Sequence, residues 1–252
     1  MLPKIEHPLF TEIVPSTKKK LSLRPMLVRE EKVLLMAKEA KETNSIILAI
    51  KQIVNNCVSV SGGFDVDKLT IFDLDYLFIK VRAASIDNKI KLSFVDDADE
   101  PVEKKLPDGK IIRSQPTYDF EVDLNDVTIK WPEDTSTVIQ IDNESGINLK
   151  YPQVSVYDSP ALASATNAET IVEEMIIASF DSYFKGSKVY PFKDETREAI
   201  SEFIDSLDVG TYAKVVKFFE TMPTVFYECK FTNTKGEEKT QTLSKLTDFF
   251  IF

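Results

Sequence analysis

Residues 68–84 are the stretch that most restricts how this 252-residue chain can fold. They carry two apolar stripes at helical spacing, made of Leu69, Phe72, Tyr76, Ile79 and Ala83 and of Ile71, Leu74, Phe78 and Val81. A helix that is apolar on most sides is normally buried inside a domain. We therefore expect this helix to form the centre of a helical core. Asp75 and Arg82, two turns apart on one side, are predicted to contact a partner or the rim of the core rather than to act in catalysis.

Two amphipathic helices are predicted before this stretch. Apolar residues recur every three or four positions over residues 29–42 and again over residues 45–57. Cys57 falls on the apolar stripe of the second helix, which favours a small buried side chain over a reactive thiol.

Three more helices are predicted in the C-terminal third of the chain. Asn167, Asp194 and Asp208 are the predicted N-caps, because their side chains can accept hydrogen bonds from the first helical turn. The helix after Asn167 is predicted to continue through Phe180 and Tyr183, which follow its apolar spacing.

The hydrophobic period changes from helical to alternating over residues 87–157. Strands are predicted at residues 89–95, 110–113, 118–122, 127–131, 138–141 and 147–150. Turn residues separate them, such as those at 107–109. We expect a small, mainly antiparallel β-subdomain.

Both ends of the chain are predicted to contain a strand pair. Prolines interrupt residues 1–25, so residues 5–14 and 20–24 are predicted to form a two-stranded ribbon with a turn at Ser16 and Thr17. Residues 225–231 and 239–242 are predicted to form a hairpin, which a short terminal helix follows.

Together these patterns predict an α+β protein. Its helical core would combine N- and C-terminal segments, with the antiparallel β-subdomain inserted in the middle. The predicted division assigns residues 1–86 to an extended arm and helices, and residues 87–157 to the β-rich insertion. Residues 158–252 would supply the C-terminal helices, the hairpin and a terminal helix that packs with the N-terminal helices.

Charge and cysteine content restrict the partners and the compartment. Acidic residues outnumber basic ones by 41 to 31, for a formal net charge of -10. A field of this sign repels nucleic acid and anionic lipid, so we expect neither as a partner. No apolar run reaches membrane-spanning length and no signal-peptide pattern is present. We expect a reducing, cytosolic setting with Cys57 and Cys229 as structural thiols.

The sequence offers little catalytic chemistry. His7 is the only histidine, and a structural zinc site needs four clustered Cys or His ligands. The glycines at residues 61–63 lack the Lys-Ser/Thr ending of a phosphate-binding loop, so they are predicted to end a helix. We therefore expect no enzyme, metal or cofactor. An acidic loop is predicted to be solvated and contains Asp96, Asp97, Asp99, Glu100 and Glu103. The remote alternative is a metal-dependent hydrolase that uses this loop.

Three stretches spread over nearly the whole chain carry a resemblance to a known family. They are Leu2-Pro3-Lys4 with Arg24-Pro25-Met26-Leu27-Val28 and Glu30-Glu31-Lys32-Val33-Leu34-Leu35-Met36-Ala37, then Phe72-Asp73-Leu74-Asp75-Tyr76-Leu77-Phe78 with Val81-Arg82-Ala83-Ala84-Ser85, and Phe218-Phe219-Glu220-Thr221-Met222-Pro223 with Leu246-Thr247-Asp248-Phe249-Phe250. They resemble the T-even-type bacteriophage baseplate hub assembly family. Some relatives carry a Cys pair in the C-terminal hairpin, where this chain has only Cys229, so no metal is expected there.

The resemblance implies a non-enzymatic tail-morphogenesis protein that acts with the baseplate hub proteins, the tape-measure protein, or both. It would work in the host cytoplasm during phage assembly, in a chaperone-like role. A permanent subunit retained in the virion baseplate is the alternative, and a homo-oligomer stays open. The extended arm could add a strand to a partner sheet, and the apolar C-terminus could contact a partner or pack in its own core. The candidate contact residues are Ile5, Pro8, Phe10, Phe249, Phe250, Ile251 and Phe252.

Overall fold

The computed structural model describes residues 5–40, 43–59, 63–105, 110–133, 136–165 and 167–249. Within them the helices are α1 (Val28–Ala40), α2 (Thr43–Cys57), α3 (Ile71–Ser85), α4 (Pro160–Ala163), α5 (Ala168–Ser179), α6 (Arg197–Asp205) and α7 (Val209–Glu220). The strands are β1 (Phe10–Ile13), β2 (Lys20–Leu23), β3 (Lys89–Phe94), β4 (Val102–Lys105), β5 (Ile111–Ser114), β6 (Tyr118–Asp123), β7 (Thr128–Lys130), β8 (Val138–Gln140), β9 (Ser145–Leu149), β10 (Phe180–Lys185), β11 (Lys188–Pro191), β12 (Thr224–Thr232) and β13 (Glu238–Leu243). The predictions for the turn at 107–109, for Ser61 and Gly62, and for the C-terminal Phe250, Ile251 and Phe252 lie outside the described residues.

Helix α3 lies at the centre of the molecule, as its two apolar stripes predict. Leu77 and Phe78 are fully buried in the cluster shared with α2 and the N-terminal strands. Ile79 faces a second cluster, which is built on β3, β6, β7 and β12. The helix begins at Ile71 because Thr70 and Asp73 form a capping box, in which each side chain accepts a hydrogen bond from the other residue's backbone N–H. The central position is therefore confirmed, with the start three residues later than predicted.

The β1–β2 ribbon is confirmed, but its first strand begins at Phe10, five residues later than predicted. Its strands are antiparallel, with Phe10 opposite Leu23 and Ile13 opposite Lys20. Val14 and Leu23 are buried against α2 and α3, so one face of the ribbon belongs to the core. Lys18 in the turn has a φ of 58°, in the left-handed region that non-glycine residues rarely occupy.

The strands after α3 form several small antiparallel sheets. β3 pairs with β6, β4 pairs with β5, and the β12–β13 hairpin takes up β7 as a third strand. Lys80 of α3 is buried and joins these strands to the helix. Its Nζ donates to the carbonyl oxygens of Leu124 (3.2 Å), Asn125 (2.6 Å) and Val127 (3.0 Å) between β6 and β7.

The remaining strands form a sheet of order β11-β10-β9-β8, on which α5, α6 and α7 pack. Gly146 in β9 allows the close packing of this sheet, since a Cβ there would lie 2.6 Å from Cζ of Phe184. The sheet joins strands from both sides of residue 157, and the predicted domain boundaries stay a prediction. The α+β class with antiparallel sheets is confirmed.

Two helix predictions in this region are wrong. Phe180 and Tyr183 do not continue α5 but lie in β10, opposite Leu149 and Ile147 of β9. Pairing with a neighbouring strand outweighs the helical spacing of the two aromatic residues, and periodicity alone cannot show this.

The second error concerns the start of α6. Asp194 ends a short 3-10 helix. The N-cap is Thr196, whose Oγ1 accepts a hydrogen bond from the backbone N–H of Ala199 at 3.2 Å. The cap predicted at Asp208 of α7 is confirmed, as is the cap at Asn167 of α5.

Candidate partner-binding surfaces

Residues 5–9, here called the N-terminal segment, run along the surface ahead of β1. All five are exposed, and the Ile5 side chain is 79% exposed. Among the described residues, no backbone hydrogen bond joins the segment to the rest of the chain. Ile5 and Pro8 are thus available to a partner, whereas Phe10 is partly buried against the core and fixes the end of the segment.

The turn of the ribbon is held by a buried carboxylate. Asp73 Oδ1 accepts a hydrogen bond of 2.9 Å from the backbone N–H of Ser16, and Oδ2 accepts one from the Ser16 hydroxyl. Oδ2 also accepts a bond of 3.2 Å from the backbone N–H of Thr70. One side chain therefore caps α3 and fixes the ribbon turn to it, a connection over 57 residues that spacing in the sequence does not show.

A second buried carboxylate connects the ribbon to α1. Glu30 is 1% exposed and its Oε1 lies 2.9 Å from Nη2 of Arg24, at the end of the ribbon. Burial opposes ionisation of Glu30, but hydrogen bonds from Arg24, Arg29 and the backbone of Leu27 outweigh it and lower its pKa to about 2.

The thiol of Cys57 lies beside the same group. Nη1 of Arg24 is 3.7 Å from its Sγ. Burial raises the pKa of Cys57 to about 11, so the thiolate needed for reaction is disfavoured. The thiol has the structural surroundings that its position on the apolar stripe predicts.

Trp131 adds an exposed aromatic surface beside the ribbon turn. Its side chain is 42% exposed, and Nζ of Lys18 lies 5.0 Å from the ring centroid. Phe72 of α3 packs edge-on against the same ring, with centroids 5.6 Å apart. Partly exposed tryptophans supported from behind are frequent centres of protein interfaces. Sequence reasoning treated Trp131 only as a strand residue, because nothing in the alternation distinguishes a supported exposed ring from a buried one.

The C-terminal candidate is placed differently. Phe249 is 1% exposed and lies in the cluster shared by α3, β3 and β12. Burial in the chain's own core, the alternative that the sequence left open, is what the structure shows for this ring. Its contact with a partner stays a prediction, and Phe250, Ile251 and Phe252 lie outside the described residues.

Asp75 and Arg82 on α3 are both partly buried. Desolvation raises the pKa of Asp75 to about 7. Arg82 borders a cavity at the C-terminal end of α3. Their contacts with a partner stay a prediction.

The acidic loop after β3 has a structural role. Asp99 accepts hydrogen bonds from the Tyr118 hydroxyl (2.6 Å) and from the backbone N–H of Thr234 (3.0 Å). Asp96 accepts one of 3.0 Å from Nδ2 of Asn233. The loop therefore holds the β12–β13 turn, and the prediction of a solvated loop is wrong for Asp99, which is buried, although Asp97 and Glu100 are exposed. No group of three or more His, Cys, Asp or Glu side chains in the described part of the chain is arranged to hold a metal ion.

In the described ranges, no helix combines the length and apolar character needed to cross a bilayer. The fold and these surfaces define an α+β protein with a solvent-facing N-terminal segment in which Ile5 and Leu9 are exposed. The sequence model of the family described as T4 bacteriophage base plate protein matches residues 7–251. The chain belongs to this family, and the resemblance is confirmed. Searches of curated proteins and of solved structures gave no match.

Proposed function

We propose that this baseplate protein promotes assembly of the central hub of the tail baseplate by binding the hub proteins, the tape-measure protein, or both. It would do so without catalysing a reaction, in the host cytoplasm during phage assembly. The observation that carries the proposal is the N-terminal segment, which is exposed, presents the apolar side chains of Ile5 and Leu9, and has no backbone partner among the described residues. Membership of the baseplate family supports other baseplate proteins as the partners.

The segment has the chemistry of a strand that joins a partner's sheet. In an extended segment Ile5 and Leu9 lie on one face, so both can enter apolar pockets while the backbone pairs with a sheet edge. Pro8 has no N–H, so it suits a strand that pairs on one side only. Because Phe10 pairs with Leu23 and packs against the core at the end of the segment, little freedom is lost there on binding.

Replacement of the two apolar side chains, Ile5 and Leu9, by serine tests this proposal. The variant Ile5→Ser with Leu9→Ser should reduce co-purification with the hub or tape-measure protein at least tenfold, and leave the melting temperature unchanged because both side chains are exposed. The matched control is Glu6→Ser, on the other face of the same segment, which should co-purify as wild type. Unchanged co-purification of the double variant would contradict the proposed segment, and absence of both partners from the wild-type preparation would contradict the proposed function.

The alternative is a permanent subunit of the virion baseplate, and the family's description as a base plate protein favours it. Quantitative mass spectrometry of purified virions separates the two roles. A transient factor would be depleted from mature particles, whereas a fixed ratio to the other baseplate proteins would establish a permanent subunit.

A further inference from the structure

We propose that a cavity between α1, the C-terminal end of α3 and β3 binds an apolar segment of a partner protein that carries a carboxylate. We call it the α3 cavity. The inference rests on the proposed function, because it gives a baseplate partner a second contact besides the N-terminal segment.

The α3 cavity has a volume of about 320 Å³. Its apolar wall is formed by Met26, Leu34, Leu35, Ile86, Ile90 and Phe249. Leu35 and Ile86 are more than half exposed, so the apolar wall continues onto the surface around the opening. Such a volume accommodates one or two large side chains, and exposed apolar surface around a concave site is typical of protein contacts.

Three of the four charged residues that line the α3 cavity are cations. Lys38 of α1, Arg82 of α3 and Lys91 of β3 border it, together with one carboxylate, Glu31. None of the three cations forms an ion pair with another residue of the described ranges. In a chain with a net charge of -10, this local excess of positive charge favours an acidic ligand.

Arg82 provides the most specific observation. Its Nη1 is buried and has no hydrogen-bond acceptor among the described residues. A buried guanidinium N–H without an acceptor is destabilising, and a carboxylate is the group that matches its geometry best. The guanidinium and the apolar wall together select a ligand with both a carboxylate and large apolar side chains. A segment of a protein with an Asp or Glu beside Leu, Ile or Phe supplies both.

The stability of Arg82→Met tests whether this guanidinium lacks an acceptor in the free protein. The variant keeps most of the side-chain volume and should raise the melting temperature by about 2–4 °C, because an unsatisfied buried donor is removed. The matched control is Arg197→Met. Arg197 is paired with Glu173 and Glu174, so its loss should lower the melting temperature. A fall for Arg82→Met as large as that for Arg197→Met would overturn the proposal.

Binding is measured by fluorescence anisotropy with labelled 15-residue peptides that tile the hub and tape-measure proteins encoded with this protein. A peptide that occupies the α3 cavity should bind wild type roughly 10- to 100-fold more tightly than Arg82→Met, because one charge-assisted hydrogen bond is lost. Replacement of the peptide's acidic residue by its amide should give a similar loss. Ile86→Glu, which introduces a negative charge at the exposed opening, should also abolish binding, whereas Ile171→Glu on α5 should not.

The outcomes separate this inference from the proposed function. If the hub or tape-measure protein co-purifies equally with wild type and Arg82→Met, and no peptide distinguishes them, the cavity proposal fails while the proposed function stands. Arg82-dependent binding of octanoate without any peptide binding would overturn a protein segment as the occupant. Arg82-dependent peptide binding that is detected only after removal of residues 250–252 would assign the cavity to the chain's own C-terminal residues instead.

Discussion

The core around α3 and the core around the β8–β11 sheet are stabilised in different ways. Around α3, three buried charged residues, Glu30, Asp73 and Lys80, each hydrogen-bond to a residue outside their own helix. In the sheet core, three aromatic rings pack against one another. Phe180, Phe192 and Phe203 lie with their ring centroids 5.1 to 6.3 Å apart.

The difference between the two cores shows which elements of the molecule are held in accurate positions. Apolar packing has little directionality, so a core of aromatic rings tolerates rearrangement. A buried charge tolerates few arrangements, because every alternative leaves it without a partner. Of the three charges around α3, Asp73 fixes the ribbon turn, Glu30 binds Arg24 at the other end of the ribbon, and Lys80 fixes the β6–β7 connection. The α3 core therefore holds the β1–β2 ribbon in one position.

Removal of the Glu30 carboxylate is expected to have the largest effect. Glu30→Ala leaves Arg24 partly buried without its partner, and should lower the free energy of unfolding by about 3–5 kcal/mol in urea denaturation followed by circular dichroism. Phe203→Leu in the sheet core should cost about 1 kcal/mol. Glu31→Ala, its neighbour at the α3 cavity, is the local control. If Glu30→Ala cost no more than Glu31→Ala, the contrast between the two cores would be lost.

Removal of the Asp73 carboxylate should cause the second largest loss of stability. Asp73→Ala removes a helix cap and both bonds to Ser16, and should lower the free energy of unfolding by about 2–3 kcal/mol. Since Trp131 is the only tryptophan and Lys18 of the ribbon turn lies over its ring, tryptophan emission reports on the ribbon. Ser16→Ala keeps the cap, so it should cost about 1 kcal/mol. If Asp73→Ala and Ser16→Ala lowered the free energy of unfolding equally, the helix cap would contribute nothing to stability.

The sequence predicted the elements whose signals are local. The apolar stripes of α3, the ribbon and the β12–β13 hairpin are confirmed, because hydrophobic period and turn residues are set within a few positions. β10 was mistaken for helix because Phe180 and Tyr183 satisfy helical spacing, and only pairing with β9 decides between the two.

The candidate surfaces were predictable only in part. An interrupted, proline-rich N-terminus indicates an extended arm, and Ile5 and Pro8 are indeed exposed. The sequence could not show that Asp73 contacts Ser16, that Lys80 contacts the β6–β7 connection, or that Arg82 lies at a cavity. Each of these contacts joins residues that come together only after the chain has folded.

The Asp75 carboxyl should make the free energy of unfolding depend on pH. Its pKa of about 7 in the folded protein lies above the ordinary value of 3.8, so the folded state favours the neutral form. The stabilisation that comes from proton binding by Asp75 is fully present below about pH 4 and is lost as the pH rises to about 7. Asp75→Asn, which is always neutral, should therefore be more stable than wild type at pH 8 and differ little from it at pH 4. A constant difference between wild type and variant from pH 4 to pH 8 would contradict an uncharged Asp75.

Substitution of Lys18 in the ribbon turn should change the free energy of unfolding least. Two weak contributions oppose each other there, the interaction with the Trp131 ring and the backbone strain at positive φ. Lys18→Ala loses the interaction with the Trp131 ring, worth about 0.5–1 kcal/mol, and keeps a side chain at positive φ. Lys18→Gly loses the same interaction but relieves the backbone strain, so it should be more stable than Lys18→Ala by about 0.5–1 kcal/mol. Both variants should change the Trp131 emission equally, since both remove the ammonium group. Equal stabilities with equal emission changes would mean that the turn relaxes without Lys18, and that the buried bonds of Asp73 do not hold the ribbon turn in its strained conformation.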